Sequence, residues 1–127
     1  MEVILDTNAL SALADGDPAL GAALKPVTGV AVTVITLGEY RYGIRLSRHR
    51  TAHETWLDTV LGLYRILPVD DATTVSYALL RHELKRVGRL IPTNDLWIAA
   101  IAKQHGLPVV SRDRHFDAVQ GLHRIAW

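Results

Sequence analysis

The chain has 127 residues, 49% of them hydrophobic, which is enough for one core, so we expect a single domain over residues 1–127. The absence of cysteine excludes disulfide bonds, thiolate catalysis and zinc sites built on sulfur, and it agrees with a reducing compartment such as the cytoplasm. The formal net charge is only +1, which excludes strong attraction of the whole molecule to nucleic acid and leaves local patches to bind phosphates.

The first predicted element is a strand at Val3–Leu5. This apolar run follows the acidic residue Glu2 and stops at Asp6, so it is too short and has the wrong flank for a signal peptide. No later segment approaches the roughly 20 apolar residues that span a bilayer. We therefore expect a soluble protein located in the cytoplasm.

Beyond this strand, short runs rich in β-branched residues alternate with longer helical patterns, which is the order of an α/β sheet with crossover helices. Further strands are predicted at Val30–Ile35 and Val109–Val110, with an edge strand within His123–Trp127. Helices are predicted at Leu10–Ala14, from Asp17, from Thr36, from Thr51, from Asp70 and after Pro92.

Local capping chemistry supports the predicted helix boundaries. Asp17 suits the N-cap position and Pro18 the first helical position. Thr36 and Thr51 each precede a glutamate by three positions, which is the spacing of a capping box. Gly106 is placed to end the helix that precedes the Val109 strand.

Three acidic residues lie just past predicted strands. Asp6 directly follows the first strand, Glu39 comes shortly after the second, and Asp113 lies just beyond Val109–Val110. The crevice of an open α/β sheet lies outside the carboxyl ends of its strands, so we expect these residues to meet along one edge. Asp6 is the most informative of them, because it ends a run that should be buried on both faces.

A fourth acidic residue, Asp95, is predicted to face inward from the helix after Pro92. At 3.6 residues per turn it shares its face with Ile98 and Ala102. A carboxylate there must be neutralised, paired or bound to a metal, because leaving it bare costs several kcal/mol. The structural alternatives are that Asp95 stabilises the helix dipole and that Glu39 only completes a capping box.

Other residues are interpreted structurally. The six histidines are scattered along the chain, and most are expected to be surface or core residues. Phe116 is expected to anchor its turn to the core rather than to stack on a base.

Four motifs occur in order along the chain, namely VILDTN at Val3–Asn8, TLGE at Thr36–Glu39, PTNDLWIAA at Pro92–Ala100 and VVSRDRHFD at Val109–Asp117. This set resembles the PIN-domain family, and more particularly the VapC toxins of type II toxin-antitoxin pairs. The resemblance covers essentially the whole chain. It implies a three-layer α/β/α fold with a short central parallel sheet, and metal-dependent endoribonuclease activity.

The resemblance also implies site residues and partners. The implied acidic site consists of Asp6, Glu39, Asp95 and Asp113, with Asp117 as a further acidic position that varies in use and Thr7 and Asn8 as polar neighbours of the first aspartate. The implied inhibitor is a VapB-type antitoxin whose C-terminal segment packs across the pocket and often presents a basic side chain. The implied assembly is a homodimer, which could extend to a toxin-antitoxin hetero-oligomer.

Four gathered carboxylates would repel one another, and a hard divalent ion such as Mg²⁺, or Mn²⁺ as a substitute, would relieve that repulsion. Such an ion polarises a phosphoryl oxygen and lowers the pKa of its bound water. Our hypothesis is that Asp6 and Asp95 hold the principal ion. Asp113 would serve a second ion or orient water, and Glu39 would be a ligand or a base.

Two other classes of protein compete with this one. A noncatalytic or weakly active RNA-binding module built on a PIN-like fold stays open, and metal binding without RNA cleavage would favour it. A receiver-like signalling domain would need a lysine late in the chain, after the last convincing strand. The three lysines, Lys25, Lys85 and Lys103, all precede that strand, which argues against a receiver.

Overall fold

The computed structural model describes all 127 residues. The chain forms five strands, six α-helices and one short 3-10 helix. In order they are β1 (Glu2–Leu5), α1 (Thr7–Ala14), α2 (Pro18–Ala23), β2 (Gly29–Thr33), α3 (Val34–Leu46), α4 (Arg50–Leu61), β3 (Arg65–Leu67), α5 (Asp71–Arg86), α6 (Thr93–His105), β4 (Val109–Val110), the 3-10 helix (Arg114–Ala118) and β5 (Arg124–Ile125).

The five strands form one parallel sheet in the order β3-β2-β1-β4-β5. β1 is central, with Val3 opposite Val30 of β2 and Ile4 opposite Val109 of β4. The chain runs outward from β1 first through β2 and β3 and later through β4 and β5, so the strand order reverses between β1 and β4. A crevice forms at such a reversal, beyond the carboxyl ends of the two strands.

Helices cover both faces of the sheet, which confirms the predicted three-layer α/β/α fold. Alternate residues of β1 point to opposite faces, so Ile4 belongs to one buried cluster while Val3 and Leu5 belong to the other. The Ile4 cluster includes buried residues of α5 and α6, and the other cluster includes residues of α1 to α4. None of the helices is both long enough and apolar enough to cross a membrane.

Several predicted boundaries are confirmed. Asp17 caps α2 by accepting hydrogen bonds from the backbone N–H groups of its first turn, and Asp70 caps α5. Gly106 ends α6 with a φ of 65°, a left-handed conformation that suits glycine. The 3-10 helix is anchored by the fully buried Phe116, as predicted, and β5 forms the predicted edge strand.

The two capping boxes predicted at Thr36 and Thr51 are wrong. The second strand ends earlier than its apolar run, and Thr33 is the N-cap of α3, where its Oγ1 accepts a hydrogen bond from the N–H of Thr36 at 3.1 Å. Thr36 is therefore buried inside the first turn, and the carboxylate of Glu39 is free for another partner. α4 begins at Arg50 with no side-chain cap, so the Thr51 box does not form either.

β3 was not predicted from the sequence. It spans only Arg65–Leu67, and Arg65 and Ile66 are exposed because β3 is an edge strand. A three-residue strand with one buried side chain carries too little hydrophobic periodicity to be recognised.

Candidate metal centre

Asp6 lies at the carboxyl end of β1, where it is only 4% exposed. Its Oδ1 accepts a hydrogen bond from the N–H of Thr7 at 2.8 Å, which caps α1. Its Oδ2 accepts from Ser111 Oγ at 2.7 Å and from Asn8 Nδ2 at 3.3 Å. The backbone N–H of Asp6 donates to the carbonyl oxygen of Val110 at 3.0 Å, so the residue is fixed at the reversal between β1 and β4.

Ser111 joins the loop after β4 to the loop after β1. Its buried hydroxyl donates to Asp6 and accepts hydrogen bonds from Asn8 Nδ2 at 3.2 Å and from the N–H of Asp113 at 2.9 Å. Asn8 Oδ1 in turn accepts from the N–H of Arg112 at 3.1 Å. Sequence reasoning did not single out Ser111, although it follows β4 in the same way that Asp6 follows β1.

Glu39 reaches this cluster from α3. Its Oε1 accepts a hydrogen bond from Thr7 Oγ1 at 2.8 Å, and Thr7 is the first residue of α1. The two predicted polar neighbours of Asp6 therefore have different partners. The side chain of Thr7 forms a hydrogen bond with Glu39, while the side chain of Asn8 forms hydrogen bonds with Asp6 and with the loop after β4.

Asp95 and Asp113 meet at a histidine. Asp95 lies in the first turn of α6 with a side chain 14% exposed, and its Oδ2 is 2.9 Å from Nδ1 of His115. The same Nδ1 is 2.8 Å from Oδ1 of Asp113, which also accepts the backbone N–H of His115 at 2.9 Å. One ligand atom from each of the three residues lies within 4.8 Å of the other two, so together they could hold a metal ion.

Sequence reasoning missed His115. The available signal was local, because Asp113 is the N-cap of the 3-10 helix and Phe116 anchors that helix in the core. His115 lies between the capping residue Asp113 and the buried Phe116, so the backbone that carries its side chain is held in place on both sides.

The pKa values show that the carboxylates share one neighbourhood. Burial raises the pKa of Asp6, against hydrogen bonds from Ser111 and Thr7 that lower it, and the charges of Glu39 and Asp113 raise it further. Burial also raises the pKa of Asp95 to about 6, to which the charges of Asp113 and Asp6 contribute, while the hydrogen bond with His115 opposes the rise. Asp6 and Asp95 therefore lie on the same side of the molecule and repel each other.

This donor set fits a hard divalent cation. Asp6 and Asp95 are carboxylates held in places where ionisation is disfavoured, and a cation favours the ionised form of both. Their oxygens, with those of Asp113 and Glu39, are the ligand type that Mg²⁺ and Mn²⁺ prefer.

Asp117 lies outside this group. Its two carboxylate oxygens accept hydrogen bonds from Nε and Nη2 of Arg124 at 2.9 and 3.1 Å, and this pairing lowers the pKa of Asp117. Arg124 also donates to the carbonyl oxygen of Ser111 at 3.0 Å. Asp117 therefore supports the loop after β4 through an arginine, and its service as a ligand stays a prediction.

Comparison with known proteins relates these features to one group. The family model described as PIN domain matches residues 3–122. Ribonuclease VapC5 of Mycobacterium tuberculosis is 39% identical over 121 residues, which are 93% of this chain and 87% of the relative.

Two solved structures have the same fold. VapBC2 from Rickettsia felis, bound to a DNA fragment from its promoter, has a TM-score of 0.88 at 27% identity over 100% of this chain and 99% of that one. VapBC-5 from Mycobacterium tuberculosis, a member of the VapBC family of toxin-antitoxin systems, has a TM-score of 0.78 at 33% identity over 99% and 98% of the two chains.

We expect the carboxyl of Asp95 to titrate with a midpoint near 6 in the metal-free protein, measured by carbon-13 NMR of the side chain. Because this value exceeds the ordinary 3.8, the folded protein binds the proton more tightly than the unfolded chain does. Ionisation of Asp95 therefore removes stability as the pH rises from about 3.8 to about 6. Asp113→Asn should lower the midpoint, since it removes a nearby negative charge. A midpoint at the ordinary value in the unmodified protein would contradict the described burial and repulsion.

Proposed function

Because the chain belongs to the PIN-domain family, we propose that it is an endoribonuclease of the VapC type that depends on Mg²⁺, with Mn²⁺ as a substitute. The observation that carries the proposal is the convergence of the buried Asp6 and the partly buried Asp95 at the reversal of strand order, where the charge of Asp6 contributes to the raised pKa of Asp95. Its relative VapC5 is named a ribonuclease, which supports RNA as the substrate.

A divalent ion, when bound, supplies positive charge that stabilises the phosphoryl group during hydrolysis and lowers the pKa of a coordinated water. Asp6 and Asp95 would hold the principal ion, and Asp113 would hold a second ion or orient water. The hydrogen bonds from Thr7, Asn8 and Ser111 fix the carboxylate of Asp6 before any ion arrives. A ligand that is already oriented binds without a further loss of side-chain entropy.

Glu39 is suited to a different task. Its Oε1 accepts a hydrogen bond from the hydroxyl of Thr7, which fixes the orientation of the carboxylate. The other oxygen, Oε2, would then take a proton from the attacking water or bind the ion. Thr7 and Asn8 therefore support the reaction by positioning Glu39 and Asp6.

Replacing Asp6 with asparagine tests the reaction class. Asp6→Asn keeps the size of the side chain but removes a charged ligand, so we expect cleavage of a mixed RNA pool with Mg²⁺ to fall by at least about 100-fold. The matched control is Asp58→Asn on the exposed side of α4, which should leave cleavage unchanged. Circular dichroism and thermal unfolding would show that both variants are folded.

Two outcomes of that experiment would go against the proposal. Undiminished cleavage by Asp6→Asn would remove Asp6 from the mechanism. Metal binding by the unmodified protein with no cleavage of varied RNAs would favour the noncatalytic RNA-binding module.

We also propose that the protein is a toxin held inactive by a VapB-type antitoxin, which the likeness to VapBC-5 supports. The acidic centre would attract a basic side chain from the antitoxin. Expression of the chain alone in bacteria should arrest growth, the Asp6→Asn variant should not, and co-expression of the neighbouring reading frame should restore growth to the first culture. Normal growth in all three cultures would contradict the toxin role, while cleavage in the test tube would still support the ribonuclease.

A homodimer is the last part of the proposal. On α3, the side chains of Tyr42 and Leu46 are 67% and 71% exposed, and Val34 is a third exposed apolar residue of this helix. Tyr42 lies eight positions after Val34 and Leu46 four positions after Tyr42, so the three residues follow one side of the helix. An exposed apolar stripe of this kind is typical of an interface.

Sedimentation should therefore give about twice the 14.0 kDa mass of one chain, and Tyr42→Glu should shift the mass toward that of a single chain. Leu63→Glu is the matched control, since Leu63 is also an exposed apolar residue but lies off α3, and it should leave the dimer intact. A single-chain mass for the unmodified protein at all concentrations would contradict the dimer.

A further inference from the structure

The imidazole of His115 contacts two of the four carboxylates of the acidic centre. Its Nδ1 is 2.9 Å from Oδ2 of Asp95 and 2.8 Å from Oδ1 of Asp113. Asp95 belongs to α6 and Asp113 to the loop after β4, so this nitrogen joins carboxylates from two elements. The imidazole is also 50% exposed, so ions and substrate can reach it.

The fold fixes the place of His115 on both sides. On one side its backbone N–H donates to Oδ1 of Asp113, the N-cap of the 3-10 helix. On the other side the fully buried Phe116 belongs to the core cluster that contains Ile98 and Ala99 of α6. These two constraints hold the start of the 3-10 helix against α6 and bring the imidazole to Asp95.

The spacing of the three ligand atoms suits one small cation. Mg²⁺ and similar ions have octahedral sites with bonds of about 2.1 Å, so neighbouring ligand atoms are about 3 Å apart. The two distances from Nδ1, 2.9 and 2.8 Å, have that value, and all three ligand atoms lie within 4.8 Å of one another. Mg²⁺ favours oxygen ligands, whereas imidazole nitrogen suits transition ions, and Mn²⁺ is the transition ion that also favours carboxylates such as the two in this site.

We propose that His115 Nδ1 is a metal ligand which, with Asp95 and Asp113, makes a mixed nitrogen and oxygen site that binds Mn²⁺ in preference to Mg²⁺. The inference rests on the proposed metal-dependent function. For the ion held by Asp95 and Asp113 it places Mn²⁺ before Mg²⁺, whereas the ribonuclease proposal has Mg²⁺ with Mn²⁺ as a substitute. In the competing role, His115 is a protonated imidazole whose positive charge occupies the place of the ion. Removing the imidazole would weaken metal binding if His115 is a ligand, and would strengthen metal binding if His115 occupies the place of the ion.

Pulsed electron paramagnetic resonance of the full chain loaded with Mn²⁺ tests direct coordination. We expect a nitrogen-14 coupling that changes to a nitrogen-15 coupling when the protein is made with nitrogen-15 histidine. This measurement needs no variant, so it stays decisive even if substitutions at the site disturb folding. Absence of a histidine nitrogen coupling in the Mn²⁺-loaded protein would overturn the proposal.

Calorimetric titrations with Mn²⁺ and with Mg²⁺ provide the second test. His115→Ala should weaken Mn²⁺ binding by at least about tenfold and Mg²⁺ binding by less. His82→Ala, an exposed histidine on α5, is the matched control and should leave both affinities unchanged. Unchanged or tighter Mn²⁺ binding by His115→Ala would overturn the proposal.

A third variant separates this inference from the function on which it rests. If Asp95→Asn abolishes Mn²⁺ binding while His115→Ala does not, the carboxylate centre stands and only the histidine ligand fails. If the unmodified protein binds neither ion, both the histidine ligand and the metal dependence fail.

Discussion

The hydrogen bond from Ser111 Oγ to Asp6 Oδ2, 2.7 Å long and buried, holds together the two halves of the molecule that meet at the centre. Asp6 follows β1 and Ser111 follows β4, and these strands are neighbours only because the order of the sheet reverses between them. The same hydroxyl accepts the N–H of Asp113, so the loop that carries Asp113 is placed by the bond that orients Asp6. Together with the hydrogen bonds of Asn8 to Ser111 and to the N–H of Arg112, that contact fixes the residues after β4 relative to those after β1.

The centre combines carboxylates whose ionisation is disfavoured both by burial and by mutual repulsion. Hydrogen bonds from Ser111 and Thr7 favour the ionised form of Asp6, but burial outweighs them and its pKa remains raised. The hydrogen bond with His115 likewise favours the ionised form of Asp95, but burial outweighs it and the pKa of Asp95 rises to about 6. The fold thus holds negative charge close together without fully compensating it, which is the condition under which a cation binds most favourably.

Much of this arrangement could be predicted from the sequence, because its strongest signals are short and local. Asp6 ends an apolar run that only a central strand explains, and Asp95 shares a helix face with buried residues, so both were expected at the centre. Their convergence required the parallel sheet, which the alternation of strands and helices predicted.

The remaining features depend on tertiary contacts that no local pattern contains. Thr36 matched a capping box, yet the strand before it ended early and Thr33 became the cap. β3 is stabilised by its pairing with β2 rather than by its own three residues. His115 is directed at Asp95 by the burial of Phe116, and that burial depends on how the 3-10 helix packs against α6.

The sheet ends on each side in a very short strand, three residues in β3 and two in β5. An outer strand offers its unpaired backbone groups to any other extended chain, and the number on offer grows with its length. Because these two edge strands have so few unpaired backbone groups, edge-to-edge pairing of sheets would form few hydrogen bonds. Both edges of the sheet are therefore poor templates for extension, and association between copies is left to helix surfaces, where side chains decide which partner is accepted.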